Sequence, residues 1–154
     1  MKPNLLDFSL FPLSDWRQFN ERLSGNNARR VLIVLERLES DSELMDFLGK
    51  ILSAVKLNLQ EDTFLLKLTK GENISFSNFS QVQPVRHVLL FGIAPRQLGL
   101  HFSLPLNQPM RLGDTVFLFT HPILDIFEER KAESRPKAGA LWNNLKQLFI
   151  DSNA

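Results

Sequence analysis

Two apolar runs in the second half of the chain constrain the fold more than any other feature. Arg86-His-Val-Leu-Leu-Phe-Gly92 and Asp114-Thr-Val-Phe-Leu-Phe-Thr-His-Pro122 are each too short to cross a membrane, are bounded by breakers, and carry no charge inside the run. Such a pattern suits a strand covered on both faces, as in a parallel sheet. The two are expected to be neighbours. The second delivers His121 and Pro122 just past its carboxyl end, where open α/β sheets place their ligand-binding loops. His121 is therefore the polar residue of first interest.

Upstream, Arg29-Arg-Val-Leu-Ile-Val-Leu35 is a third strand of the same kind, and Thr63 to Leu68 a fourth. Between them, Ser40-Asp-Ser-Glu43 forms a capping box, in which the Ser side chain accepts a backbone N–H and the Glu reaches back. Leu44, Phe47, Leu48, Ile51, Leu52 and Val55 follow at helical spacing and make one apolar stripe. Lys50 and Lys56 suit the carboxyl end of that helix. Gly92 is placed to turn the backbone sharply, and 93–99 has room for a brief helix. Pro105 and Pro109 confine the pieces around them to the sheet margin or to loops. Ala138, Leu141, Trp142, Leu145, Leu148 and Phe149 form a closing amphipathic stripe, on a helix begun near Ser134 and Pro136.

Strands alternating with helices in this order predict an α/β fold: a three-layer arrangement with a mainly parallel four-stranded sheet and helices on both faces. At 154 residues one domain is expected, at 28–154, preceded by an apolar arm at 1–27. The arm is too apolar for a disordered tail. From Ser14, Trp16, Phe19 and Leu23 recur at helical spacing until Ser24-Gly25 ends the pattern. Two readings of the arm stay open: packing on its own domain, or docking on a partner through Phe8, Phe11 and Trp16 as aromatic anchors.

Composition bounds the chemistry. There is no cysteine, so a disulfide framework and a thiolate metal site are excluded, and no segment resembles a secretory signal; a cytoplasmic protein without a membrane segment is expected. A net charge of +1 supplies no electrostatic case for strong nucleic-acid binding, so contact with nucleic acid is expected to be weak or indirect. His87, His101 and His121 have no metal-ligand spacing and no carboxylate cluster beside them; no metal or cofactor is expected. His87, at a strand start, is expected to be a surface or hydrogen-bonded histidine. Gly-rich phosphate loops and a nucleophile elbow are both absent. Glu36 and Glu39 leave the first strand where general bases occur in α/β enzymes, but nothing near them in sequence would hold a substrate, which favours a solvated pair. Arg130, Lys131, Arg135 and Lys137 follow the His-Pro pair and are the candidate phosphate contacts; Glu128, Glu129 and Glu133 oppose that role.

The stretch from Arg86 onward resembles the uracil-DNA glycosylase superfamily. The corresponding pieces are Val88-Leu-Leu-Phe-Gly92, Thr120-His-Pro-Ile123, and Lys137-Ala-Gly-Ala-Leu-Trp142 with Leu145. The resemblance implies the same three-layer fold, with His121 as the one catalytic candidate. Active members carry a Gly- and Pro-containing water-activating loop and a base-stacking aromatic after the first strand. Here Leu35-Glu-Arg-Leu-Glu-Ser40 runs straight on, and Ile123 stands where the histidine loop has Ser. Base excision needs an extruded base in a shaped pocket. The chain is most similar to a non-catalytic branch, the psi subunits of bacterial DNA polymerase III. That likeness implies a protein-interaction subunit in DNA replication with clamp-loader subunits as partners, engaged through Phe8, Phe11 and Trp16. The alternative is a divergent DNA glycosylase or nucleic-acid-binding protein of the same fold.

Overall fold

A computed structural model describes residues 23–36, 41–69, 85–100, 103–129 and 134–150. In chain order the elements are β1 (Leu23–Ser24), β2 (Val31–Glu36), α1 (Asp41–Ala54), β3 (Thr63–Leu68) and β4 (His87–Phe91). A 3₁₀ turn at Pro95–Leu98 follows, then β5 (Met110–Leu112), β6 (Thr115–Thr120), α2 (Ile123–Glu128) and α3 (Pro136–Phe149). The strand order is β1-β3-β2-β4-β6-β5. The four strands expected from the sequence form the parallel centre, β3-β2-β4-β6. The sheet is nevertheless six-stranded and mixed, because β1 and β5 run antiparallel along its two edges.

The edges have local causes. Leu23 lies at helical spacing from Trp16 and Phe19, yet it pairs with Leu66, and Ser24 with Leu65. Gly25 makes this possible: at φ +102 its Cα lies against the Thr63 carbonyl, where a Cβ would collide with the oxygen. The following residues hydrogen-bond to the 58–63 loop, with Asn26 N–H donating to Gln60 O and Ala28 N–H to Glu61 O. β5 is the expected edge piece after Pro109, and the Gly113-Asp114 turn folds it back onto β6.

Alternation along the central strands splits the core in two. Val31, Ile33, Leu35, Leu65, Leu89, Phe91 and Leu118 face one side. There they meet Leu48, Leu52 and Val55 of α1, Ile123 and Ile126 of α2, and Leu141, Leu145 and Phe149 of α3. Leu48 and Leu52 are fully buried, and truncating either to Ala would cost about 2–5 kcal/mol. Phe47 and Phe127 meet edge to face at 5.3 Å, joining α1 to α2. Leu32, Val34, Leu66, Leu68, Val88, Leu90 and Phe117 face the other side, with Ile93, Leu98 and Leu104. The expectation of helices on both faces is therefore met by α-helices on one face only among the described residues; on the other, the described cover is the 3₁₀ turn and the loop at Leu104. Among the described residues no helix is long and apolar enough to cross a membrane.

Trp142 departs from its expected place. The buried face of α3 is carried by Leu141, Asn144, Leu145 and Phe149, whereas Trp142 is 40% exposed. One residue along a helix is a rotation of about 100°, which turns Trp142 off the stripe of its neighbour Leu141.

Candidate functional site

The strand order dictates where a ligand crevice belongs. The chain leaves β2 toward β3 on one side and places β4 on the other, so the order reverses between β2 and β4. In open α/β sheets, ligands bind outside the carboxyl ends of the strands at such a point. There Leu35, Phe91 and Thr120 are paired across β2, β4 and β6.

A groove of about 110 Å³ occupies this position, lined by Glu36, Phe91, Gly92, Pro122, Leu124 and Asp125, with Ile123. Small-molecule sites usually measure about 300–1,000 Å³. The groove is narrow because two chain segments close on each other. Gly92, at φ +73, donates its N–H to Thr120 O at 2.9 Å. A Cβ on Gly92 would lie 2.7 Å from Cγ of Pro122. The sharp turn expected at Gly92 is present, and the missing side chain lets the end of β4 lie against Pro122.

His121 occupies the expected loop between β6 and α2 and is half-buried, but it is not among the residues lining the groove. Pro122 forms the amino-terminal boundary of α2, a helix whose six residues were not foreseen. The acidic groups at the groove are Glu36, at the end of β2, and Asp125 on α2. Glu39 lies outside the described residues, as do His101, Arg130, Lys131 and the arm residues Phe8, Phe11 and Trp16.

A part-buried polar network holds the end of β6. Thr120, with no exposed surface, donates its hydroxyl to Asn107 Oδ1 at 2.7 Å. Asn144 Nδ2 donates to Asn107 O at 2.8 Å and to Ala140 O at 3.0 Å. Asn107 N–H completes the set by donating to Phe119 O. Asn107 holds φ +59, a conformation that Asn tolerates better than most residues. α3 is thereby tied to the end of β6.

Of the candidate phosphate contacts, Arg135 and Lys137 lie among the described residues, at the amino-terminal end of α3. Lys137 N–H and Ala138 N–H both donate at 3.0 Å to the carboxylate of Glu129, which fills the role of a cap that Arg135 does not. The Lys137 ammonium stands 3.7 Å from the same carboxylate. Desolvation pulls the pKa of Glu129 up; the N–H groups of Ala138 and Lys137 and the Lys137 charge pull it down, and the balance leaves it below the ordinary value. Glu129 thus caps α3 and pairs with the Lys137 ammonium.

His87, expected to be at the surface or hydrogen-bonded, is half-buried. It starts β4, its ring lies 4.6 Å from that of Phe149, and its Nδ1 is shut off from solvent without a hydrogen-bond partner. Burial lowers its pKa first, and the charges of Arg111, Arg29 and Arg86 lower it further. Among the described residues no cluster of three metal-ligating side chains occurs. Comparison of the chain with protein-family models gives no match, and comparison with curated proteins gives none.

Proposed function

We propose that this chain is a non-enzymatic protein-interaction subunit acting in DNA replication in the cytoplasm, similar to the clamp-loader-associated psi subunit of DNA polymerase III and built on a uracil-DNA glycosylase-like scaffold. The observation that carries the reading is the closure of Gly92 against Pro122. It reduces the place where a nucleobase would enter to a groove of about 110 Å³, with Leu124 at its exposed rim. A flipped base needs a shaped cavity with polar groups aimed at its edge. The partners in this reading are clamp-loader proteins bound through Phe8, Phe11 and Trp16, and contact with nucleic acid is weak or runs through those partners.

The test is co-purification with clamp-loader proteins. Because Leu23 and Ser24 pair with β3, the arm variant replaces Phe8, Phe11 and Trp16 by Ala and leaves the sheet edge intact. Loss of the clamp-loader proteins from the variant supports the proposal; their retention, or their absence from the unaltered chain, overturns it. The rival reading, a divergent glycosylase, rests on His121 emerging from the end of β6 beside the groove. It requires uracil release from DNA that vanishes in His121→Ala.

A further inference from the structure

The opposite end of the sheet holds a cluster that the proposed function does not use. Arg29 and Arg30 lead into β2, Arg86 leads into β4, and Arg111 lies in β5. Register brings these distant positions together. Val31 pairs with His87, His87 with Val116, and Val116 with Arg111, so one row crosses β2, β4, β6 and β5. The carbonyl of Arg30 accepts the N–H groups of both Arg86, at 2.8 Å, and His87, at 3.2 Å. Arg30 itself sits at φ +57, a left-handed conformation that a long side chain adopts at a cost.

The four arginines, with His87 and Phe149, line a cavity of about 550 Å³. All four are exposed, and among the described residues none forms an ion pair with a carboxylate. The carboxylates of the adjoining loop are engaged elsewhere: Asp62 accepts Asn58 N–H at 2.8 Å, and Glu61 accepts Asn26 Nδ2 at 3.0 Å. With 18 basic and 17 acidic residues in the whole chain, such a gathering is not a consequence of composition. The carboxyl end of α3 reaches the same place, but a helix end offers only about half a negative charge. Four guanidinium groups around one concavity repel each other unless an anion joins them.

Guanidinium forks match phosphate oxygens in pairs, which a single ammonium does not. The volume lies within the range of small-molecule sites, about 300–1,000 Å³. A nucleic-acid strand would need cations along a track with bases stacked beside it; here the charges converge on one hollow. We propose that this cavity binds a compact phosphate-bearing anion, a diphosphate or triphosphate group, free or esterified. The site lies at the far end of the sheet from the groove, so it stands or falls independently of the proposed protein-interaction role.

Calorimetric titration of the full chain with inorganic pyrophosphate, and separately with ATP, tests this. Arg86→Gln combined with Arg111→Gln is expected to weaken binding by at least about tenfold, while Lys50→Gln, on α1, leaves it unchanged. Both altered arginines are exposed, so the fold survives, and circular dichroism verifies it. Tighter binding of ATP than of pyrophosphate, with mutual competition, assigns the esterified form; the reverse assigns the free anion. The proposal is overturned if neither probe binds at millimolar concentration, or if the double variant binds as well as the unaltered chain. It is also overturned if a thymidine oligonucleotide binds and pyrophosphate does not displace it.

Discussion

Gly92 and Pro122 are packed so closely that the glycine has no room for a methyl group: a Cβ would stand 2.7 Å from Cγ and 3.0 Å from Cβ of the proline. The contact joins the end of β4 to the loop after β6 and sets the width of the groove between them. Gly92→Ala should therefore be destabilising twice over, once through its positive φ, at about 1–2 kcal/mol, and once through the collision, at about 1–3 kcal/mol. Urea unfolding would measure the sum. In a Pro122→Ala background the Cγ is gone but the Cβ, 3.0 Å away, and the Cα, 3.1 Å away, remain, so the second cost should shrink without vanishing. A cost unchanged by the background would mean that the ring is not the obstacle.

The Thr120, Asn107 and Asn144 network makes a separate prediction about order of cost. Asn107→Ala removes the acceptor of the Thr120 hydroxyl and the side chain suited to φ +59, so it should cost the most, about 2–4 kcal/mol. Thr120→Val takes the donor from the part-buried Oδ1 of Asn107 and should cost less, about 0.5–1.5 kcal/mol. The two changes share a hydrogen bond, so their costs should fall short of additive in a double-mutant cycle. Strict additivity would show that the hydrogen bond contributes nothing.

Lys56 offers a gain in stability. At the end of α1 its N–H donates to Ser53 O at 3.0 Å, and Leu57 N–H donates to Leu52 O at 2.9 Å, the paired hydrogen bonds of a left-handed helix stop. Lys56 holds φ +64, where glycine carries no Cβ penalty. Lys56→Gly should raise stability by about 0.5–1 kcal/mol, and Lys56→Val should lower it. A thermal melt separates the two; equal melting temperatures would contradict the assignment.

How legible each part was depends on the length over which it leaves a mark. β2, β4 and β6 are buried on both faces, so each writes a continuous apolar run, and α1 and α3 are long enough for their stripes to repeat. α2 has six residues, with only Ile123 and Ile126 turned inward, too few for a period to show. β1 is two residues held by backbone pairing with β3, which no side-chain pattern reports. The groove's location could be anticipated from the His121-Pro122 pair, but its narrowness depends on Gly92 meeting a residue thirty positions away. The arginine cavity was hidden for the same reason. Its arginines come from three separate places in the chain, and only the row Val31, His87, Val116 and Arg111 assembles them.

His87 couples that cavity to stability. Its pKa in the folded chain is lowered, chiefly by burial and then by Arg111, Arg29 and Arg86, so the unfolded chain takes up its proton first as pH falls. The sign follows from proton uptake: above the ordinary value near 6.5 both states are neutral and the contribution is complete, whereas below it the unfolded state gains a proton the folded state resists and stability declines. Urea unfolding of the unaltered chain and of His87→Leu at pH 7.5 and 5.5 should show the unaltered chain losing more stability between the two, by the share that belongs to His87. His101 and His121 are present in both proteins and cancel. Arg111→Gln removes the foremost of the charges and should move the His87 titration, followed by NMR of its ring protons, part of the way back toward 6.5, because burial remains. A titration that Arg111→Gln leaves unmoved would mean that the guanidinium does not face the ring, and the convergence of the arginines on one hollow would lose its support.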